Sequence, residues 1–266
     1  VHSSSDHSKQ ISSICNRIAE TYFLKNMAAI HSDLQAPLDR ARLAKNLETL
    51  RQQMADACKK SGRTSEQVTL VAVTKTVGPQ TCNDLVSLGC VDLAENRPQV
   101  LWDKSTQVDE PVRWHFIGHM QRNKSARTVP LLRMMHSLDS LRLAEQMASD
   151  GSPDKRLRVL LELNVTEDPT KTGLSPEQAQ EVLSKVVASD FLKERLDLCG
   201  LMGMSSLQGD IAQTHREFES IRLLRDRWQE SFGIELSELS MGMSDDFQIA
   251  IEEGSTMVRI GSLLYR

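Results

Sequence analysis

No apolar run in this chain approaches the ~20 residues that a bilayer-spanning helix needs, and the N-terminal stretch lacks the continuous apolar core of a secretory signal. There is no basic stripe and no aromatic-interleaved Lys/Arg patch. The 32 basic and 36 acidic residues leave a formal charge of -4. Neither a nucleic-acid nor a membrane partner is therefore expected. The five cysteines (Cys15, Cys58, Cys82, Cys90 and Cys199) are scattered, and none forms a CxxC pair. That excludes a disulfide framework or a zinc site as the organising element and fits a reducing compartment. The expected location is the cytoplasm. The mitochondrion is the alternative, because Arg17 and Lys25 lie among apolar positions in residues 11–25. No repeat or low-complexity linker divides the chain after Met27. Residues 1–26 read as a disordered or non-native leader and 27–266 as one domain.

What is present is regular. Leu38–Lys60 has helical periodicity (Leu43, Leu47, Leu50, Met54, Ala57) and ends at Gly62, a natural C-cap. Eight short apolar runs follow: Val68–Thr74, Val91–Ala94, Trp114–Ile117, Met134–Leu138, Arg158–Val165, Leu196–Met202, Leu236–Met241 and Met257–Ile260. The stretches between them, Pro79–Leu88, Arg97–Lys104, Asn123–Arg133, Ser140–Met147, Pro176–Ala188, Ile211–Ser231 and Asp246–Glu253, read as helices. Strand and helix alternating eight times in an α/β chain of this length predict a closed (β/α)8 barrel of the TIM type. An open doubly wound sheet is the alternative, but no GxGxxG follows the first strand. The barrel's last helix is missing after strand eight, and the additional N-terminal helix over 38–60 is expected to fill its place.

Chemistry in such a barrel collects at the carboxyl ends of the strands. The first run delivers Lys75 there. A desolvated lysine is less basic and attacks carbonyls more readily to form Schiff bases; the alternative is a lysine that snorkels from the strand end into water. The ends of runs seven and eight carry Gly242-Met243-Ser244 and Arg259-Ile260-Gly261-Ser262. Loops at these two positions often bind phosphate, through glycines that let backbone approach and through hydroxyl and N–H donors. The first of the two reads equally as a capped helix start, with Ser244 near the N-cap. Asp245 and Asp246 would then have to point away from a phosphate. Arg259, inside a strand, is either a charge paired with a buried carboxylate or a guanidinium facing a ring nitrogen. His115 is either a satisfied core histidine or a catalytic base. Asn96 and Asn164 either orient a ligand or cap a turn. Met202, Met204, Met241 and Met243 are expected to fill space near the mouth.

Taken in order, Leu-Val-Ala-Val-Thr-Lys75, Leu-Ala-Glu95-Asn96, Trp-His115-Phe-Ile-Gly-His-Met-Gln-Arg-Asn123-Lys124, Asn164 through Lys171-Thr-Gly173, Gly200-Leu-Met202, Leu-Ser-Met-Gly242-Met-Ser244-Asp-Asp and Gly254-Ser-Thr-Met-Val-Arg259-Ile-Gly261 resemble the pyridoxal phosphate homeostasis protein family, also called the proline synthetase co-transcribed homologues. The resemblance spans roughly residues 38–265. It implies a fold-type III barrel like the N-terminal domain of alanine racemase. It also implies pyridoxal 5'-phosphate (PLP) as cofactor, held as an internal aldimine on Lys75. Ser244, Gly261 and Ser262 would hold the phosphate, Arg259 would face the pyridine nitrogen and Asn96 would lie near the ring. Met243 and Ile260 would add backbone contacts, and Lys171 would be a secondary handling site. The family implies a non-catalytic carrier and buffer that delivers PLP to apo enzymes, here expected as a monomer. A PLP-dependent racemase or lyase is one alternative, and a barrel for another phosphorylated metabolite is a second. Family members usually continue past Ile-Gly-Ser-Leu-Leu-Tyr with a glycine and a basic tail. The stop at Arg266 is expected to weaken the phosphate end of the site.

Overall fold

The computed structural model describes residues 39–152, 154–166, 172–206 and 209–266. The expected leader over 1–26, the first residues of the expected domain from Met27, Cys15 and Lys171 all lie outside these. Eight parallel strands close into a barrel in chain order: β1 (Thr69–Val73), β2 (Asp92–Glu95), β3 (Arg113–Phe116), β4 (Leu132–Leu138), β5 (Leu157–Leu163), β6 (Leu196–Gly203), β7 (Glu238–Ser240) and β8 (Met257–Ile260). Closure is by parallel pairing of β1 with β8, from Thr69 opposite Met257 to Ala72 opposite Ile260.

Alternation along each strand divides the side chains between two cores. Val71, Val73, Ala94, Met134, Leu160, Met202 and Met257 pack inside the barrel, with Ile117 and Met204 against them. Their neighbours, such as Ala72, Leu93, Met135 and Leu161, face outward and join the larger core beneath the helices.

The helix Arg40–Lys60 (α1) buries Leu43, Leu47, Leu50, Met54, Ala57 and Cys58 on one stripe. Asp39 caps its start by accepting from the Ala41 N–H at 3.2 Å. α1 packs against the helix Phe247–Glu252, which precedes β8, and against the short helix Ser262–Tyr265, which follows it. The Asn46 amide ties it to the Leu264 carbonyl at 3.0 Å. It therefore stands where the eighth barrel helix belongs, as its periodicity predicts.

Among the boundaries that differ from expectation, one divides an expected helix. The stretch Asn123–Arg133 reads as one helix, but the helix Arg122–Thr128 gives way to a 3₁₀ turn over Val129–Leu131, and β4 begins at Leu132. Pro130 has no N–H with which to continue a helical ladder. Among the described residues no helix is long and apolar enough to cross a membrane.

Candidate functional site

Lys75 lies two residues past the end of β1, in a turn, and its side chain is exposed. This corrects the expectation of a desolvated amine at a buried strand end. β1 stops at Val73, Thr74 donates its N–H to the Ala94 carbonyl at 2.9 Å, and the chain then turns the amine out at the barrel mouth. The buried lysine nearby is Lys104, 1% exposed. Its Nζ reaches Glu95 Oε1 at 2.5 Å and the Thr74 carbonyl at 2.6 Å. The Thr74 hydroxyl donates to the same Glu95 oxygen at 2.6 Å. This pair lies between the barrel and the helix Pro98–Gln107 and clamps the residue immediately before Lys75. Sequence reading overlooked it, although Lys104 falls three and four residues after Leu101 and Val100 on the buried helix face.

Asn96 follows β2 with its side chain on the interior parity of Asp92 and Ala94. Its Oδ1 is buried and has no hydrogen-bond partner. A buried orphan acceptor costs free energy unless something donates to it. The backbone beside it leaves no slack: a Cβ on Gly118, just past β3, would sit 2.1 Å from the Asn96 carbonyl oxygen.

Arg259 points into the barrel from β8 and is 4% exposed. Nη1 donates to the Ser240 carbonyl at 2.6 Å and to the Ser240 hydroxyl at 2.8 Å, and Nη2 donates to the Gly203 carbonyl at 3.1 Å. No carboxylate pairs with it among the described residues. Burial lowers its pKa to about 10, with Asp246 and Glu162 opposing from a distance. It therefore stays a cation at neutral pH, tied to the ends of β6 and β7. The carboxylate-paired structural reading is not met, and donor capacity remains for a ligand.

The loop after β7 is built differently from its sequence reading. The helix begins at Phe247 with Asp246 at the N-cap, two residues later than Ser244. Asp246 Oδ1 accepts the Met243 N–H at 2.6 Å, and its Oδ2 accepts from the Ser205 hydroxyl. The Met243 carbonyl accepts from Asp246 and Phe247. Both backbone groups of Met243 are thus engaged within the turn and are not free for a ligand here. Ser244 is half-buried. Gly242, at φ +90°, is required by the turn and by packing, since a Cβ there would meet Ala250 Cβ at 2.6 Å. After β8, the buried Ile260 leads to half-buried Gly261 and Ser262, and Ser262 opens a short helix whose first N–H groups have no intrahelical acceptor. Met202 and Met241 are buried and Met204 and Met243 half-buried, as expected of residues filling space near the mouth.

His115 lies deeper, 2% exposed. Nε2 meets Asp92 Oδ1 at 2.9 Å and Nδ1 meets His136 Nε2 at 2.8 Å. Both nitrogens are committed, which is the satisfied-core reading rather than that of a free base. Glu162, missed from sequence, is a buried carboxyl that burial pushes above its usual pKa, partly offset by a 2.6 Å hydrogen bond from Thr172.

The mouth thus joins an exposed primary amine, a buried guanidinium with unused donors, an orphan amide oxygen, and backbone and hydroxyl donors after β7 and β8. That set of donors and one acceptor fits a ligand with an aldehyde, an aromatic nitrogen, a ring hydroxyl and a phosphate, and PLP has all four. Lys75 would hold the aldehyde carbon, Arg259 would lie toward the ring nitrogen, Asn96 toward the ring, and Ser244, Gly261 and Ser262 toward the phosphate.

The model of the alanine racemase N-terminal domain family matches residues 38–266 of the chain. A pyridoxal phosphate homeostasis protein of Aquifex aeolicus is 34% identical over 226 residues, 84% of this chain and 96% of the relative. One of Pseudomonas aeruginosa is 33% identical over 228 residues, covering 84% and 94%. A solved structure of PipY from Synechococcus elongatus, described as having PLP bound, superposes with a TM-score of 0.73 at 27% identity, over 84% of this chain and 100% of that one. The chain belongs to the alanine racemase N-terminal domain family and, within it, to the pyridoxal phosphate homeostasis proteins.

Proposed function

We propose that this chain binds PLP at the mouth of the barrel and acts as a carrier and buffer of the cofactor, not as a catalyst. The observation that carries this reading is Arg259, a buried cation with no carboxylate partner among the described residues, in the same barrel mouth as Lys75 and the orphan oxygen of Asn96. PipY, described with PLP bound, and the relatives named for PLP homeostasis support the ligand. PLP supplies a reactive aldehyde and an electron-withdrawing ring. Lys75, Arg259 and the loops after β7 and β8 would hold those groups. A guanidinium disfavours protonation of a neighbouring ring nitrogen, which makes the ring a poorer electron sink. His115, the base named from sequence for an enzyme, is committed to Asp92 and His136 inside the barrel. Delivery of PLP to apo enzymes is part of this proposal.

The test is an absorbance titration with PLP, followed by borohydride reduction and peptide mapping. A new visible band and a reduced adduct on Lys75, both lost in Lys75→Ala, are expected. No band and no adduct would remove the reading. Exchange of amino-acid α-protons in deuterated water by the PLP-loaded protein would instead establish an enzyme.

A further inference from the structure

We propose that Ser240, His136, His115 and Asp92 form a one-way hydrogen-bond relay through the barrel interior that holds Arg259 in its orientation at the mouth, with His136 as the central positioning residue. The relay crosses four strands in addition to β8. Arg259 Nη1 meets Ser240 Oγ at 2.8 Å, Ser240 Oγ meets His136 Nδ1 at 2.8 Å, His136 Nε2 meets His115 Nδ1 at 2.8 Å, and His115 Nε2 meets Asp92 Oδ1 at 2.9 Å.

The chemistry of the two ends sets the direction of every hydrogen. A guanidinium can only donate, so Ser240 Oγ accepts at one end. An ionised carboxylate can only accept, so His115 donates from Nε2 at the other. Burial pushes Asp92 up, but hydrogen bonds from His115 and Arg113 outweigh it and hold the carboxyl below its usual range. With a single hydrogen on each imidazole, one arrangement satisfies all the contacts between them. His115 Nδ1 accepts from His136 Nε2–H, and His136 Nδ1 accepts from the Ser240 hydroxyl. Burial drives His136 well below its usual pKa.

The Ser240 hydroxyl is otherwise a free rotor. With its hydrogen directed at His136, its lone pairs face Arg259, and the guanidinium is held from two sides, by Ser240 and by the Gly203 carbonyl. The charged and titratable groups facing the relay among the described residues are Arg158 and Glu162 on β5, Asp197 and Cys199 on β6, Glu238 on β7, Asp246 after β7, and Arg113, which pairs with Asp92 at the amino end. Asp197 and Glu238 both pair with Arg158. Asp92 and Arg113 line a cavity of about 400 Å³ there with Arg51 and Glu66. The relay therefore runs from that cavity to the mouth.

What the relay does to a ligand rests on the PLP reading; the relay itself does not. Its first test is imidazole nitrogen NMR on the PLP-free protein between pH 6 and 8. His115 and His136 are expected as neutral Nε2–H tautomers throughout, and an Nδ1–H tautomer or a protonated ring at either would overturn the relay. The second test compares H136L, which offers Ser240 no acceptor, with H136N, whose amide oxygen stands near the position of Nδ1. H136L is expected to weaken PLP binding about tenfold and to raise the pH midpoint of the cofactor's absorbance change. H136N should stay within about twofold of the parent, on the scale of one interior hydrogen bond. Equal losses in both variants, or none in H136L, would make His136 a packing residue and end the proposal. If H136L fails to fold, S240A reports the same loss of the Arg259 contact. Absence of a Lys75 adduct in the parent protein would count against the PLP reading alone, and the NMR result would still decide the relay.

Discussion

Lys104 Nζ donates to the main-chain carbonyl of Thr74 at 2.6 Å, one residue before Lys75. The fully buried ammonium on an outer helix thus holds the turn that carries the exposed amine, while its charge is matched by Glu95 at 2.5 Å. A buried pair of this kind adds little net stability over apolar residues of similar size, but half of one is costly. Lys104→Met is expected to destabilise the barrel by about 3–5 kcal/mol in urea unfolding, because Glu95 would be left charged and buried. Adding Glu95→Leu should recover much of that loss. If the single variant were as stable as the parent, the pair would not be the clamp described.

Asn96 offers a cleaner separation of binding from folding. Its Oδ1 has no partner in the protein, so Asn96→Ala removes no internal hydrogen bond. Its unfolding free energy is expected to stay within about 0.5 kcal/mol of the parent, while PLP binding weakens about five- to thirtyfold, as for one lost hydrogen bond. Chemical denaturation and absorbance titration measure the two effects independently. A large loss of stability with unchanged binding would take Asn96 out of the site.

Stability should fall in mild acid through His136. Burial depresses its folded-state pKa well below 6.5, so below about that pH the unfolded chain takes up a proton that the folded chain refuses. The contribution is complete above pH 6.5 and is lost as the pH falls toward the folded value, at up to about 1.4 kcal/mol per pH unit. Glu162, whose pKa is raised by burial, acts with the opposite sign. The quantity to measure is therefore the difference in slope between the parent and H136N, from urea curves at pH 5 to 7. Parallel slopes would show that His136 titrates alike in both states.

The described cysteines should be inert. Cys58, Cys82, Cys90 and Cys199 are all buried, and desolvation raises Cys82 to about 11 and Cys90 and Cys199 to about 12. The thiolate is the reactive form. Labelling with iodoacetamide at pH 8 and peptide mapping should find these four unmodified in the native protein and modified in urea. Rapid native modification of any of them would contradict its burial.

The barrel was legible in the sequence because its signals are local. Apolar runs such as Val68–Thr74 and amphipathic stretches such as Pro176–Ala188 announce strand and helix within a dozen residues. Eight alternations leave few topologies, and the stripe Leu43, Leu47, Leu50, Met54 identified the helix that takes the eighth position. The strand ends likewise marked Lys75, Asn96, Arg259 and Ser262 as neighbours at one mouth. The exposure of Lys75 was not legible, because it depends on where β1 stops, which the pairing with β2 and β8 decides.

The interior polar chemistry was beyond reach of the sequence for the same reason. His136 and Ser240 are 104 residues apart, and Arg259 and Gly203 are 56 apart. Nothing in the neighbourhood of either member announces the other. By itself the sequence determined the strand and helix periods, the order of elements and the residue types delivered to the mouth, since these follow from side-chain alternation and turn chemistry. Only the closed barrel decided which polar groups meet inside it. Barrel closure and strand stagger bring interior side chains of distant strands to one level, and there burial forces each donor to find an acceptor.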